Sequence, residues 1–136
     1  MKLEFFMAME PPTITHQAKG LVVQNGKAAV YDSAELRTAR TKLKANLSKH
    51  IPKRFMEGPV WLGVKWCFPI KGAHRDGEYK TSRPDTDNLE KMLKDAMEDL
   101  GFFKNDAQVV SEHVEKFWAD IPGIYIVMWE IEEDRI

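Results

Sequence analysis

The sequence has a single cysteine in 136 residues, so no disulfide can form within the chain. It also lacks cysteine pairs and paired histidines at the spacing of zinc ligands, which argues against a structural zinc site. A membrane-spanning helix needs about 20 predominantly apolar residues, and the longest apolar run near the N-terminus covers only residues 5–9. We therefore expect a cytoplasmic protein without a membrane partner.

Neither sign of charge dominates, since the formal net charge is −1. This balance does not favour a generic nucleic-acid binder, but the distribution of charge along the chain is uneven. Residues 35–54 contain seven basic residues and one acid, whereas residues 111–136 contain seven acids and two bases. The basic segment is either a solvated helix face or a surface for a polyanion.

The first half of the chain predicts strands followed by a helix. Residues 3–9 form a β-prone run, and Asn25-Gly26 between two further β-prone runs is a hairpin signal. Asp32-Ser33 can supply the N-cap of a helix that continues to about His50. Most of the basic residues of this helix lie off its apolar stripe, so they are available to solvent or to phosphate groups.

The second half predicts a second helix among three more strands. The helix covers residues 88–100, where apolar residues recur at helical spacing, and Gly101 is its predicted C-cap. A polar loop at residues 71–84 precedes it. The strands are predicted at residues 59–70, 108–118 and 124–132. We predict one α+β domain over residues 1–136, with two helices packed on a mixed or antiparallel sheet.

Three acids adjoin the second helix, namely Asp85, Asp87 and Asp106. Each has an ordinary structural explanation, Asp87 as the helix N-cap and the other two as turn residues. Together they indicate a second role, because Mg²⁺ and Mn²⁺ bind through carboxylates, waters and substrate phosphates. Lys91 follows Asp87 by one helical turn, either as an ion-pair partner or as a cation that meets phosphate charge. The sequence leaves open whether Asp106 returns to the start of the helix.

The segment RPDTDNLEK at residues 83–91, followed by GFFKNDAQVV at residues 101–110, resembles the RusA family of Holliday junction resolvases. The shared pattern is D-x-D-N-L-x-K, a helix, and a Gly-Phe-aromatic turn into D-A-Q-V. The family often has a second acid directly before the last one, and Asn105 occupies that position here. The loop at residues 71–84 is longer than in the family pattern, which leaves the junction preference and the cleavage sequence open.

The resemblance implies a small homodimeric endonuclease, often encoded by prophages, that depends on Mg²⁺ or Mn²⁺. Such enzymes cut four-way DNA junctions by paired nicks during recombination and repair. By position, Asp85, Asp87 and Asp106 would bind the metal and act in catalysis. Lys91 would be the catalytic lysine, and Asn88 would be a supporting polar residue.

Basic residues of the first helix and of the loop before the second helix are the expected DNA-binding residues. They are Arg37, Arg40, Lys44, Lys71, Arg75, Lys80 and Arg83. Tyr79 in the same loop either stacks on a base at the branch point or is an exposed tyrosine without a special role. Two alternatives stay open, a nuclease for other branched or flap DNA and a non-catalytic protein that binds branched DNA.

Overall fold

The computed structural model describes residues 1–15, 19–24 and 27–132, with side chains described outside residues 19–32. Its elements in chain order are strand β1 (Lys2–Met7), strand β2 (Lys19–Gln24), strand β3 (Lys27–Asp32), helix α1 (Ala34–Leu47), strand β4 (Val60–Pro69), helix α2 (Thr86–Leu100), strand β5 (Val109–Ala119) and strand β6 (Gly123–Glu130). Short 3₁₀ helices cover Ser48–His50 and Asp106–Gln108. None of the helices in these ranges is long and apolar enough to cross a membrane.

The main sheet has four strands in the order β1-β6-β4-β5. β4 pairs parallel to β5 and antiparallel to β6, which in turn pairs antiparallel to β1. The sheet is therefore mixed, and the predicted α+β class is confirmed. β2 and β3 form a separate antiparallel pair, whereas the predicted turn at Asn25-Gly26 lies outside the described residues.

One face of the main sheet packs against the helices and is buried. Alternate residues of the central strand β4 are at most 2% exposed, as the two-residue period of a strand requires for a sheet with one packed face; they are Val60, Leu62, Val64, Trp66 and Phe68. Buried residues of both helices complete the same core, among them Leu36, Leu43, Leu47, Leu89, Met92, Leu93 and Met97. The helical periodicity of the sequence thus identified the packed faces of α1 and α2.

Helix α2 ends where the sequence predicted but begins two residues earlier than its predicted start. Gly101 has φ of 91° and its N–H bonds the carbonyl of Met97, a left-handed conformation that glycine adopts without strain. The N-cap is Asp85, with extended backbone, and Asp87 lies inside the first turn. The prediction of Asp87 as the N-cap was wrong. The helix begins instead after Asp85, the extended residue directly after Pro84.

Strands β5 and β6 follow one another in the chain, but β4 lies between them in the sheet. The parallel pairing places the start of β5 beside the start of β4, with Val109 opposite Val60. The connection from α2 to β5 therefore lies near the C-terminal end of α2. This connection includes Asp106, the first residue of the second 3₁₀ helix, and so determines which part of α2 Asp106 contacts.

Candidate active site

Lys91 lies in the middle of α2 between carboxylates. Its Nζ is 3.1 Å from Oδ1 of Asp95 and 3.8 Å from Oδ2 of Asp106. Half of its side chain is exposed, so the ammonium group faces solvent. Asp95 first, and Asp106 more weakly, raise the pKa of Lys91, which keeps it protonated at neutral pH. The structure thus brings Lys91 and Asp106 together and adds Asp95, which the sequence analysis did not select.

The backbone around Asp106 is held in place by hydrogen bonds. Asn105 caps the 3₁₀ helix, since its Oδ1 accepts the N–H of Ala107 at 2.8 Å. Glu98 on α2 accepts the N–H of Asp106 at 2.7 Å through Oε1. The carboxylate of Asp106, with a side chain 31% exposed, remains available to solvent. Asn105 therefore has a structural role at the position where the family pattern often has an acid.

Asp87 and Lys91 line one cleft of about 330 Å³ between α2 and β5. The two residues are one helical turn apart, so their side chains lie on the same side of α2. The other residues around this cleft are Thr86, Glu90, Lys94, Glu112 and Val114. The cleft therefore places an acid and a cation of the predicted site side by side.

A buried acid lies in the wall of this cleft. Glu90 is 4% exposed, and its Oε1 accepts the indole N–H of Trp66 at 3.0 Å. Its Oε2 is buried without a hydrogen-bond donor among the described residues. Burial first, and then Glu112, raise the pKa of Glu90 to about 8. At neutral pH the protonated form of Glu90 is therefore favoured, and its neighbour Glu112 accepts from Nζ of Lys94 at 2.5 Å.

Asp85 and Asn88 line a different cleft, of about 310 Å³. Its other residues are Thr13, Ile14, Thr15, Arg83 and Pro84. The start of α2 thus directs Asp85 and Asp87 into separate clefts. Asp106 meets α2 beside Lys91 and Glu98, farther along the helix than either of the other two acids.

The donor chemistry of the three acids suits a hard divalent cation, because Mg²⁺ is bound through one or two carboxylates together with waters and substrate phosphates. In the part of the chain with described side chains, no three residues among Asp, Glu, His and Cys are arranged to hold one ion by themselves. A metal held by any of these carboxylates would therefore need waters or phosphate oxygens as its remaining ligands. The carboxylates do not form a closed protein cage.

The residues predicted to bind DNA have different surroundings. Lys80 is 9% exposed, whereas a phosphate contact would need an exposed ammonium group. Lys44 pairs with Asp99 at 2.8 Å and shares with Arg40 a cleft of about 290 Å³ next to Asp95. The remaining predicted residues are exposed in α1 or in the loop before α2, namely Arg37, Lys71, Arg75 and Arg83.

Tyr79 is 62% exposed, and its ring stacks on Phe117 with 4.9 Å between the centroids. Its hydroxyl donates to Glu115 at 2.8 Å. One face of the ring is therefore already occupied within the chain. Stacking of Tyr79 on a DNA base stays a prediction.

Three features of the site were missed by the sequence analysis. Glu90 sits beside the apolar stripe of α2, and only the position of Trp66 on β4 shows that it is buried. Asp95 and Glu98 are half-buried and lie on the same side of the helix as exposed Asp87. A signal was present for these two, because acids at intervals of three or four residues after Asp87 share its side of the helix.

Comparison with known proteins agrees with the motif. The family model described as endodeoxyribonuclease RusA matches residues 11–128. The chain is 39% identical over 112 residues to the crossover junction endodeoxyribonuclease RusA of Lactococcus phage r1t, covering 81% of this chain and 84% of the phage protein. It is 29% identical over 120 residues to the uncharacterized protein YqaN of Bacillus subtilis (strain 168), with 80% and 84% coverage. The chain therefore belongs to the RusA family of endodeoxyribonucleases.

Proposed function

We propose that this chain is a divalent-metal-dependent endonuclease that resolves four-way DNA junctions by paired, symmetric nicks. Its proposed setting is phage-type DNA recombination and repair. The observation that carries the proposal is the position of Lys91, between Asp95 and Asp106 and in the same cleft as Asp87. The family match and the name of the phage relative support the same reading.

Asp85, Asp87 and Asp106 are the residues that would hold Mg²⁺ or Mn²⁺, together with oxygens of the scissile phosphate. When bound, the ion supplies a Lewis acid for the phosphate and lowers the pKa of a water molecule. Lys91 contributes a fixed positive charge where negative charge develops on the phosphate. Its carboxylate neighbours keep the ammonium group charged and oriented, and Asn88 is a supporting polar residue in the same cleft as Asp85.

The proposed enzyme acts as a homodimer. A four-way junction has two-fold symmetry, and a two-fold dimer presents two equal sites to strands of equal polarity. A chain with one site would have to bind twice to make paired nicks. Light scattering during size-exclusion chromatography should give twice the chain mass of 15.7 kDa. A mass of one chain at the concentrations used for cleavage would contradict this part of the proposal.

The test is cleavage of a labelled mobile four-way junction in Mg²⁺ or Mn²⁺, with a linear duplex of the same sequence alongside. Wild type, Asp87→Asn and Asp120→Asn are compared. Asp120 is an exposed acid outside the site, so Asp120→Asn is a matched control for loss of one carboxylate. We expect symmetric nicks in the junction alone, lost in Asp87→Asn and kept in Asp120→Asn, with junction affinity similar in all three proteins.

Other outcomes select the alternatives. Preferential cleavage of flap or other branched DNA would indicate a related nuclease with a different substrate. Junction binding without cleavage in either metal would indicate a non-catalytic protein that binds branched DNA. Absence of both binding and cleavage would contradict each of these functions.

A further inference from the structure

Two lysines hold the backbone segment that leads into α2. Lys116 on β5 donates from Nζ to the carbonyl oxygens of Ser82 and Pro84, both at 2.8 Å. Lys80 donates from Nζ to the carbonyl oxygen of Arg83 at 2.6 Å and to the hydroxyl of Ser82 at 2.5 Å. Three successive carbonyl groups are thus bound by two ammonium groups.

Lys80 is placed for a role inside the protein. Its Nζ lies 4.6 Å from the ring centroid of Trp118 and 5.2 Å from that of Phe68, within the range of cation–π contacts. Burial, followed by the charges of Lys116 and Lys71, lowers the pKa of Lys80. Neither Lys80 nor Lys116 forms an ion pair with a carboxylate among the described residues. Carbonyl oxygens and aromatic rings are therefore the groups that stabilise this pair of charges.

The loop that carries Lys80 is itself attached to β5. The N–H of Lys80 bonds the carbonyl of Lys116 at 3.0 Å, and the N–H of Trp118 bonds the carbonyl of Glu78 at 2.8 Å. These bonds extend the edge of the sheet by a short segment of the loop. The backbone of Lys80 is thus hydrogen-bonded to β5, the strand that carries Lys116.

We propose that Lys80 and Lys116 are positioning residues that hold the segment Ser82–Pro84 against the sheet and thereby fix Asp85 and the first turn of α2 for metal binding. This inference rests on the proposed function, because it assumes that Asp85 and the other two acids bind a metal. Asp85 follows the third bound carbonyl directly. A shift of that carbonyl would therefore move the Asp85 carboxylate and the entry of α2. Reacting groups are sensitive to such shifts, because a displacement of about 1 Å can reduce a rate by about 100-fold.

The experiment compares wild type with Lys116→Met and Lys80→Met, and uses Lys65→Met as the matched control, since Lys65 is exposed on β4 and outside the predicted DNA-binding set. Three quantities are measured: junction affinity without divalent metal, single-turnover cleavage rate at saturating protein, and the Mn²⁺ concentration that gives half of that rate. We expect the rate of Lys116→Met and Lys80→Met to fall about 10- to 100-fold and the Mn²⁺ requirement to rise. Their junction affinity should stay within about twofold of that of Lys65→Met.

Amide hydrogen exchange of residues 82–88 provides a readout that does not depend on cleavage. The proposal requires faster exchange in this segment for Lys116→Met, and partial restoration in Lys116→Arg, which keeps a charged donor. Lys116→Arg also keeps the test decisive if the Met variant fails to fold. If wild-type protein does not cut junctions, the proposed function fails. Amide exchange alone then decides whether Lys80 and Lys116 hold residues 82–84 in place.

Two results would overturn the inference. One is a loss of junction affinity in Lys116→Met with an unchanged single-turnover rate, which would make Lys116 a DNA contact. The other is unchanged exchange of residues 82–88 in both the Met and the Arg variants, which would show that the two lysines do not hold the segment.

Discussion

Two groups of charged residues begin three residues apart on helix α2. We call them the outer row and the inner chain. The outer row consists of Asp87, Lys91 and Asp95, one turn apart and accessible to solvent. The inner chain begins at buried Glu90 and continues through Glu112. Glu90 differs from the outer row in being buried, and burial penalises its charged form and raises its pKa. The outer row faces solvent, where a ligand can reach it, whereas the inner chain begins inside the packed core at Glu90.

Replacing Lys91 should produce the largest effect on activity and almost none on stability. We expect Lys91→Met to lower the cleavage rate about 100- to 1000-fold, as for loss of one group that stabilises transition-state charge. Its free energy of unfolding should change by less than about 0.5 kcal/mol, since the side chain is half exposed. Single-turnover cleavage and urea denaturation measure the two quantities. Lys65→Met on the sheet is the control, and a Lys91→Met rate within threefold of it would argue against a catalytic Lys91.

Replacing Glu90 should produce the opposite pattern. Glu90→Leu leaves the buried indole N–H of Trp66 without its acceptor, which should lower the free energy of unfolding by about 1–3 kcal/mol. Glu90→Gln should stay close to wild type, because the amide keeps an oxygen for the indole N–H of Trp66 and, like protonated Glu90, carries no charge. Urea denaturation separates the two variants. Equal free energies of unfolding for Glu90→Leu and Glu90→Gln would show that the hydrogen bond from Trp66 does not contribute to stability.

The pH dependence of stability should report the proton on Glu90. Its pKa is raised from 4.5 to about 8 in the folded chain, so the native state binds this proton more tightly than the unfolded state. The resulting stabilisation is complete below pH 4.5 and is lost as the pH rises through about 8. The stability of wild type relative to Glu90→Gln should therefore fall between pH 5 and pH 9. A difference that is constant over this range would contradict an ionisable, buried Glu90 with a raised pKa.

Glu98 should give the smallest effect of the four. Its carboxylate accepts the N–H of Asp106, so Glu98→Ala removes a bond that orients Asp106 but leaves Lys91 and all three predicted metal ligands in place. We expect the cleavage rate to fall about 3- to 10-fold, because Asp106 loses one hydrogen bond that orients it. Glu98→Gln retains an acceptor and should cleave like wild type. A full loss of activity in Glu98→Ala would mean that Glu98 contacts the metal or the substrate itself.

The local elements of the fold were largely predictable. Apolar spacing identified α2 and its core face, and Gly101 identified its end, because a left-handed C-cap is a property of a few neighbouring residues. The start of α2 was misplaced by two residues. Asp85 and Asp87 are both good N-cap residues, and the choice between them depends on the backbone conformation after Pro84.

The non-local parts of the site could not be predicted from spacing. Lys80 looked like an exposed loop cation, but a short pairing with β5 places it over Trp118 and next to backbone carbonyls. Glu90 looked like an ordinary polar residue of a helix until β4 placed Trp66 beside it. In both cases a decisive contact comes from a tryptophan more than 20 positions away in the chain, Trp118 for Lys80 and Trp66 for Glu90.

The sequence by itself determined the helix boundaries to within a few residues, the apolar faces of the elements and the family motif that contains Asp85, Asp87, Lys91 and Asp106. These depend on local conformational preference and on the period of each element. Apart from the Lys91–Asp95 pair within α2, only the tertiary structure decided which acids meet which lysines, because those contacts depend on strand order. Parallel pairing of β5 with β4 brought Asp106 to Lys91, and the sheet edge turned Lys80 and Lys116 towards the backbone before Asp85.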